Sequence, residues 1–486
     1  MKIDLKRDAR QDESTNKWAY NKGIGAVDAC PRFGKTHVGL KAINKNRNKH
    51  PTSNIVILTP SESIEKHWEF HLSTHRYHPD AKTTIITSHK AKNQVNKLKA
   101  SLIDILIVDE LHKYSSEDNL NLLKELATHS KFRLGLTGTY PYDNKTIKSL
   151  FPVVDVITEQ EARDNGWISD YYEYNVPTIL NDDEKVKYSK YSELISETLD
   201  LFRGKAAAIN GSKHLFDDDY DLIMSCYLGK RINNPNLKYL KAEIIRNALA
   251  KIMGWNRDLD LTNSRNRDID AIWRPENIYE RCKAFKQFVA NRNNILINNK
   301  SKLNTVLDII KLNDVPTIIF NESTDFANEI ANAIGEKAIV YHSKIKSRPM
   351  MDGAGNVVKT QTGKVKMFGA QSLKKLAIEG FKTERYKYLV TAKSLNEGLD
   401  LPSIQQVIIT AGTANPIDQV QRSARGKTTD SFNPDKLTHI FNLYVDDFFD
   451  VINTRIVSRD KSKLIQRQSK YTHSVIWLNS LKEITL

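Results

Sequence analysis

Cys30-Pro31-Arg32-Phe33-Gly34-Lys35-Thr36 is a turn ending in Gly-Lys-Thr, and Ile107-Val108-Asp109-Glu110-Leu111-His112 follows it far downstream. A Gly-Lys-Thr turn that opens a helix holds nucleotide phosphates. Backbone N–H groups cradle the anion, the lysine reaches the β/γ-phosphates, and the threonine hydroxyl binds Mg²⁺. An apolar strand ending in Asp-Glu supplies a carboxylate for the metal and a second one for the attacking water. Ala29 stands where the usual turn has its first glycine. Gly25-Ala26-Val27-Asp28-Ala29 reads as a short buried strand and His37–Asn44 as a helix that packs through Val38, Leu40 and Ala42. The turn therefore has the strand–loop–helix context it requires. Asp109 and Glu110 close the nearly unbroken apolar run Leu102-Ile103-Asp104-Ile105-Leu106-Ile107-Val108. Such runs mark parallel strands buried on both faces, and open α/β sheets bind ligands at the C-terminal ends of their strands. These residues predict nucleoside triphosphate hydrolysis.

Composition narrows the class. With 486 residues, 40% hydrophobic and 27% charged, the chain is expected to fold as two or three globular domains. No apolar run approaches the ~20 residues of a membrane-spanning helix. The charged start Met1-Lys2-Ile3-Asp4 does not read as a secretory signal. A cytoplasmic location is expected (the host cytoplasm if the protein is viral), with no membrane partner. Cys30, Cys226 and Cys282 lie far apart and form no metal-ligand pair, which argues against a structural zinc and suits a reducing compartment. A net charge of +15 fits a polyanionic partner bound in a salt-sensitive way.

Asp109-Glu110-Leu111-His112 together with the phosphate turn resembles the superfamily 2 helicases of the Asp-Glu-x-His type, and further segments follow in that family's order. Ile55-Val56-Ile57-Leu58-Thr59-Pro60 resembles its second strand and nucleic-acid-contacting turn. Leu134-Gly135-Leu136-Thr137-Gly138-Thr139 resembles the segment that couples hydrolysis to nucleic acid, with Tyr140 intervening before Pro141. Gln11, with Trp18, Gly23 and Gly25, resembles the adenine-reading glutamine element, although Asp8 stands where the family has arginine. Thr317–Asn321 and Ala338–Ser343 resemble the opening strands of a second motor domain. Tyr388-Leu389-Val390-Thr391 and Leu395-Asn396-Glu397-Gly398-Leu399-Asp400-Leu401-Pro402 resemble the segment that touches nucleic-acid backbone and nucleotide, with Gly398 and Asp400 near phosphate and ribose. The segment Asn415–Lys427 resembles the arginine-finger helix, whose usual pattern is Gln-x-x-Gly-Arg-x-x-Arg. Counting from Gln421 puts Arg425 on the first arginine and Thr428 on the second. Counting from Asp418 puts Arg422 and Arg425 on both and loses the glutamine. The Pro-Arg-Phe-Gly-Lys-Thr wording and the compact size are similar to phage UvsW-like branch-migration helicases.

The resemblance implies an α/β fold, two RecA-like parallel-sheet motor domains in tandem with a helical insert between them. The expected boundaries are 1–165 for the first motor, 166–300 for the insert, 301–445 for the second motor with a basic loop at 344–368, and 446–486 for a C-terminal helical extension. Within the insert, Asp183–Arg203, Asn236–Met253 and Glu276–Asn299 read as helices. Its tryptophans, Trp255 and Trp273, either grip DNA or fill the insert's own core. The basic loop reads as a hairpin around Asp352–Asn356.

By the same resemblance ATP binds with Mg²⁺ against Gln11, Pro31, Arg32, Phe33, Gly34, Lys35 and Thr36. Asp109 holds the metal through water, Glu110 is the general base, and His112 and Gln421 join the catalytic set. Arg425 is the leading finger and Arg422 the second. Thr59, Pro60, Thr137, Gly138, Thr139 and Thr391 contact nucleic acid. The expected partner is forked or branched DNA, single- or double-stranded, and the protein partners are unspecified. An RNA helicase, or an ATP-gated nucleic-acid clamp that does not unwind, are the alternatives.

Overall fold

The computed structural model describes residues 4–74, 82–210, 215–231, 239–350, 357–360, 362–392, 401, 403–411, 416–430, 433, 435–446, 449–452, 455–468 and 475–484. Two compact units result: Met1–Pro177, Val306–Tyr444 and Lys461–Leu486 form one, and Thr178–Thr305 with Val445–Asp460 forms the other.

The first unit holds both large sheets. Strands β1 (Ile24–Ala29), β2 (Ile55–Thr59), β3 (Thr83–Thr87), β4 (Ile103–Asp109), β5 (Ser130–Thr137) and β6 (Val153–Ile157) form a sheet ordered β3-β2-β4-β5-β1-β6, with parallel pairing throughout. β-Branched and leucine side chains suit its central strands because alternate residues are buried on opposite faces. Ile105 and Ile107 of β4 join Ile55, Ile57, Phe33 and Trp68 in one core, whereas Leu106 and Val108 join Val56, Leu58, Leu123 and Phe151 in the other.

Strand β7 (Asp170–Thr178) follows. After the short antiparallel pair β8 (Lys230–Arg231) and β9 (Tyr239–Leu240) come β10 (Thr317–Asn321), β11 (Ala338–His342), β12 (Arg348–Pro349), β13 (Met367–Phe368), β14 (Tyr388–Ala392), β15 (Gln406–Ile409), β16 (Leu437–Val445), β17 (Phe449–Ile452), β18 (Arg455–Ser458) and β19 (Ile476–Trp477). The second sheet is ordered β11-β14-β10-β15-β16-β7-β19, and β10, β11, β14, β15 and β16 pair in parallel. The chain thus has two parallel-sheet α/β domains, as the resemblance implied.

The boundaries differ from those expected. β7, assigned above to the insert, lies inside the second sheet, and β19, assigned to a helical extension, pairs in parallel with it. The extension also contains the antiparallel pair β17 and β18, besides the helix Arg459–Gln468. The expected boundaries follow helical periodicity, and a strand added from a distant part of the chain carries no such period. In the 344–368 loop, β12 and β13 pair antiparallel and Lys359 bridges Val365. The Asp352–Asn356 turn lies outside the described residues.

The second unit is mainly helical. The helix Asp182–Phe202 starts at a reciprocal cap, in which Asn181 accepts from the Glu184 N–H and Glu184 accepts from the Asn181 N–H. Pro275–Ile297 is the second expected helix, and Pro275 suits a first-turn position where its missing N–H costs nothing. The third, expected over Asn236–Met253, runs only over Ala242–Ile252, because Tyr239–Leu240 pairs with β8 as a strand. Trp273 is buried in this unit's core with Phe202, Leu222, Leu249 and Phe285. Trp255 packs at its margin and donates to Asp270 at 2.8 Å. Both tryptophans therefore serve packing.

Candidate active site

The phosphate turn leaves β1 and enters the helix Lys35–Arg47. Arg32 and Gly34 adopt positive φ (73° and 93°), which curls the turn so that successive N–H groups face one concavity. Among the described residues no side chain caps the helix start at Gly34; the His37 N–H bonds the Gly34 carbonyl at 2.9 Å, and the Lys35 and Thr36 N–H groups are left for an anion. The Lys35 ammonium makes one long hydrogen bond, 3.5 Å to the Ala29 carbonyl. These features fit a nucleotide phosphate. Gln11, in the helix Leu5–Tyr20, donates to the Phe33 carbonyl at 2.9 Å. A Cβ at Gly34 would stand 2.7 Å from that same Gln11 nitrogen, which could swing aside, so it is the φ of 93° that calls for glycine here. Pro31, Arg32 and Thr36 are part-exposed along the turn, whereas the Phe33 ring is fully buried against Trp167, 5.5 Å between centroids. Phe33 thus offers a ligand its main chain only.

Asp109 ends β4, one strand from β1 across β5. Its Oδ2 accepts from Trp68 Nε1 at 2.8 Å and its Oδ1 from the Glu110 N–H at 2.9 Å. Burial first, and the neighbouring Glu110 charge second, push the Asp109 carboxyl above the usual carboxylate range, while Lys35 pulls it back. A cation bound there would favour the ionised form. Glu110 sits in the left-handed region (φ 49°, ψ 54°), which a non-glycine residue adopts at a cost of about 1–2 kcal/mol. This bend turns the Glu110 carboxylate out of the strand line and toward His112, whose Nδ1 lies 3.4 Å from Glu110 Oε2.

His112 Nδ1 is also 3.0 Å from Thr137 Oγ1 at the end of β5, and Thr137 Oγ1 accepts from the Thr139 N–H at 3.2 Å. The Asp-Glu-x-His turn and the Thr137-Gly138-Thr139 loop are therefore one hydrogen-bonded body. Gly138 closes against the phosphate turn, since a Cβ there would lie 3.3 Å from both the Ala29 carbonyl and Lys35 Nζ. Asp28 of β1 ties the same loop down by accepting from the Tyr140 N–H at 3.2 Å and the Tyr142 hydroxyl at 2.9 Å. The intervening Tyr140 has a structural use, with its ring buried and its hydroxyl bonded to the Phe151 carbonyl at 2.7 Å. Thr59 ends β2 next to β4; it is fully buried, as is Thr391 in β14, and Pro60 follows Thr59 part-exposed. The structure thus brings Gln11, residues 31–36, Thr59, Pro60, Asp109, Glu110, His112 and 137–139 to one edge of the first sheet.

On the second sheet the expected residues separate. Arg422 is 1% exposed and donates to Glu322 Oε1 at 2.6 Å and to the Ala411 carbonyl at 3.1 Å. It is committed within its own domain. Gln421 is part-buried, and its Oε1 has no partner among the described residues. Arg425, 7% exposed, lies in the turn after the helix Pro416–Ser423, its N–H bonded to the Arg422 carbonyl at 3.2 Å. Gly398 and Asp400 lie outside the described residues.

Residues 9–142 match the family model described as the type III restriction enzyme res subunit, and residues 301–427 match the helicase conserved C-terminal domain. The chain carries the paired domains of a superfamily 2 helicase. A solved structure of the Pyrococcus furiosus Hef helicase domain is similar over 94% of this chain and 97% of that one, at 14% identity and a TM-score of 0.47. No curated protein matches. Helicase domains of this kind use ATP, typically with Mg²⁺, and bind nucleic acid. Among the described residues no helix is long and apolar enough to cross a membrane.

Two contacts around these residues escaped the sequence reading. Trp68 holds Asp109, and it reaches there because Gly39 leaves room: a Cβ at Gly39 would stand 2.5 Å from the indole. A glycine inside an amphipathic helix is the signal that marks such a close approach. Lys427 pairs with Glu159 at 2.5 Å, a contact between residues far apart in sequence that no local pattern encodes.

Proposed function

We propose that this helicase is an ATP-dependent DNA helicase or translocase that remodels forked or branched DNA. The observation that carries the reading is His112, whose Nδ1 lies 3.0 Å from Thr137 Oγ1 and 3.4 Å from Glu110 Oε2, because it links the hydrolytic carboxylate to the loop through which nucleic acid is felt. Lys35 and Thr36, through their side chains and their N–H groups at the helix start, hold the triphosphate. A Mg²⁺ ion held by Thr36 and, through water, by Asp109 would neutralise charge on the β- and γ-oxygens. Glu110 takes the proton of the attacking water, and Arg425 stabilises charge on the transferring phosphoryl group. Gln11 is bonded to the phosphate turn, so adenine recognition reports directly to the turn's conformation. Thr59, Thr137 and Thr391 are buried, and what they offer a strand is the main chain at their strand ends, with Pro60, Gly138 and Thr139 beside them.

A basic surface supports a nucleic-acid partner. In the helical unit Lys286 lies 4.9 Å over the Tyr227 ring, and Arg246 5.0 Å over that of Tyr279. Lys286 and Lys283 are exposed there, a pairing of cations and aromatic faces that suits phosphates and bases.

The test is a panel of fork, four-way junction, duplex, single strands and RNA, scored for stimulated ATP hydrolysis and for strand separation. Strongest stimulation and unwinding on forks or junctions is expected. Stimulation by RNA alone would move the assignment to an RNA helicase, and hydrolysis without strand separation would leave an ATP-gated clamp.

A further inference from the structure

We propose that Lys427 is a positioning residue for hydrolysis: paired with Glu159, it fixes the Arg425-bearing turn beside the phosphate turn. The inference rests on the nucleotide site and finger proposed above. Its starting point is strand register. In the pairing of β1 with β6, Ala29 stands opposite Ile157, and the Cys30 N–H donates to the Ile157 carbonyl at 3.0 Å. Two residues later Glu159 opens the short helix Glu159–Asp164, which the Thr158 hydroxyl caps at the Glu161 N–H. Glu159 is therefore held alongside the phosphate turn by backbone geometry. The chain leaving that helix returns to the same turn, where Trp167 packs on Phe33.

Lys427 approaches from the second sheet. Its ammonium is 2.5 Å from Glu159 Oε1 and 3.9 Å from the centre of the Tyr171 ring, and its side chain is only 7% exposed against 15% for that of Glu159. Burial works against the charge, but Glu159, Tyr171 and Glu173 outweigh it and hold the ammonium above the ordinary lysine range. Lys427 stays protonated across neutral pH.

The main chain around it is fastened on both sides. Ser169 donates its N–H to the Lys427 carbonyl at 3.0 Å and its hydroxyl to the Thr428 carbonyl at 2.8 Å. Lys436 reaches the Thr428 carbonyl at 2.6 Å, and Thr438 of β16 donates to the Gly426 carbonyl at 2.8 Å. Gly426 has no space for a side chain, since a Cβ would meet Thr438 Cγ2 at 2.5 Å. Residues 426–428 thus join the second sheet to the segment that runs past the phosphate turn, and Arg425 is the residue immediately before them. A buried ion pair is poor value as glue, because well-packed apolar residues in its place are commonly as stable. What it fixes well is geometry, and a finger misplaced by about 1 Å can lose on the order of 10²-fold in rate.

The experiment is steady-state ATP hydrolysis, with nucleic acid present, for the wild type, Lys427→Met, Glu159→Gln, the double variant and Lys427→Arg, alongside thermal melting. Each of the first two is expected to lower kcat by roughly 10- to 100-fold with KM for ATP unchanged. The double variant should be no worse than either single one, and Lys427→Arg should recover part of the rate. Wild-type kcat in both single variants, or losses that multiply in the double, would overturn the proposal. So would a fall in melting temperature with kcat intact. Should Lys427→Met not fold, Glu159→Gln decides alone: lowered kcat supports the clamp and unchanged kcat removes it. Absence of hydrolysis in the wild type would overturn the nucleotide reading itself, and the clamp with it.

Discussion

The edge of the first sheet and the segment around the end of the helix Pro416–Ser423 both carry charged groups assigned above to one proposed reaction, but they hold them by different means. Lys35, Asp109 and Glu110 are aimed by the main chain: an uncapped helix start, a strand end and a left-handed bend. Arg422 in the last turn of that helix, and Arg425 and Lys427 in the turn after it, belong to a segment held by side chains, with Arg422 on Glu322 and Lys427 on Glu159. Groups aimed by backbone tolerate change in their neighbours. Groups held by buried pairs depend on a partner that sequence proximity does not reveal, and losing one partner strands the other.

The sharpest probe of this contrast is Arg425→Ala, expected to cut ATP turnover by roughly 10³- to 10⁵-fold while nucleotide binding, read by equilibrium titration, persists. Unchanged turnover would transfer the finger role to another cation. Glu110→Gln should follow, losing about 10²- to 10⁴-fold in single-turnover hydrolysis with ATP affinity retained. Arg422→Ala should behave differently, because Glu322 would be left without its partner. Destabilisation of about 3–5 kcal/mol in urea unfolding is expected there. If that variant instead folds as the wild type and fails only in hydrolysis, Arg422 belongs to the reaction and the contrast drawn here breaks. The smallest effect belongs to Gly39→Ala. Overpacking against Trp68 should cost about 1–3 kcal/mol, and the shifted indole should raise the Mg²⁺ concentration needed for half-maximal rate.

Much of the first sheet's chemistry was legible because it is written locally. The Gly34-Lys35-Thr36 turn and the apolar run into Asp109-Glu110 each need only a few consecutive residues to declare a strand, a bend and a charge. The helices of the insert were legible through their period, and Asp182–Phe202 and Pro275–Ile297 fall within two residues of the expected limits. What escaped depends on pairing over long separations. β7 is amphipathic and polar enough to pass for a connector, yet it fills the place between β16 and β19. The buried network in which Gln419 donates to Asn442, and Asn442 to Glu173 of β7, has no pattern until the sheet exists. For the same reason the finger helix could be aligned in two ways by spacing, and only the Arg422–Glu322 contact distinguishes the two arginines.

The interior place of β7 has a practical consequence for dissecting the molecule. A fragment begun at residue 301, the natural cut if the halves were beads on a string, would lack the strand beside β16. The raw margin of that sheet would expose an unsatisfied row of amides and carbonyls, an invitation to self-association. Asn442 would meanwhile lose its acceptors on Glu173 and Asn175. The halves are stitched, and a soluble carboxy-terminal piece would need residues 170–178 grafted back onto it.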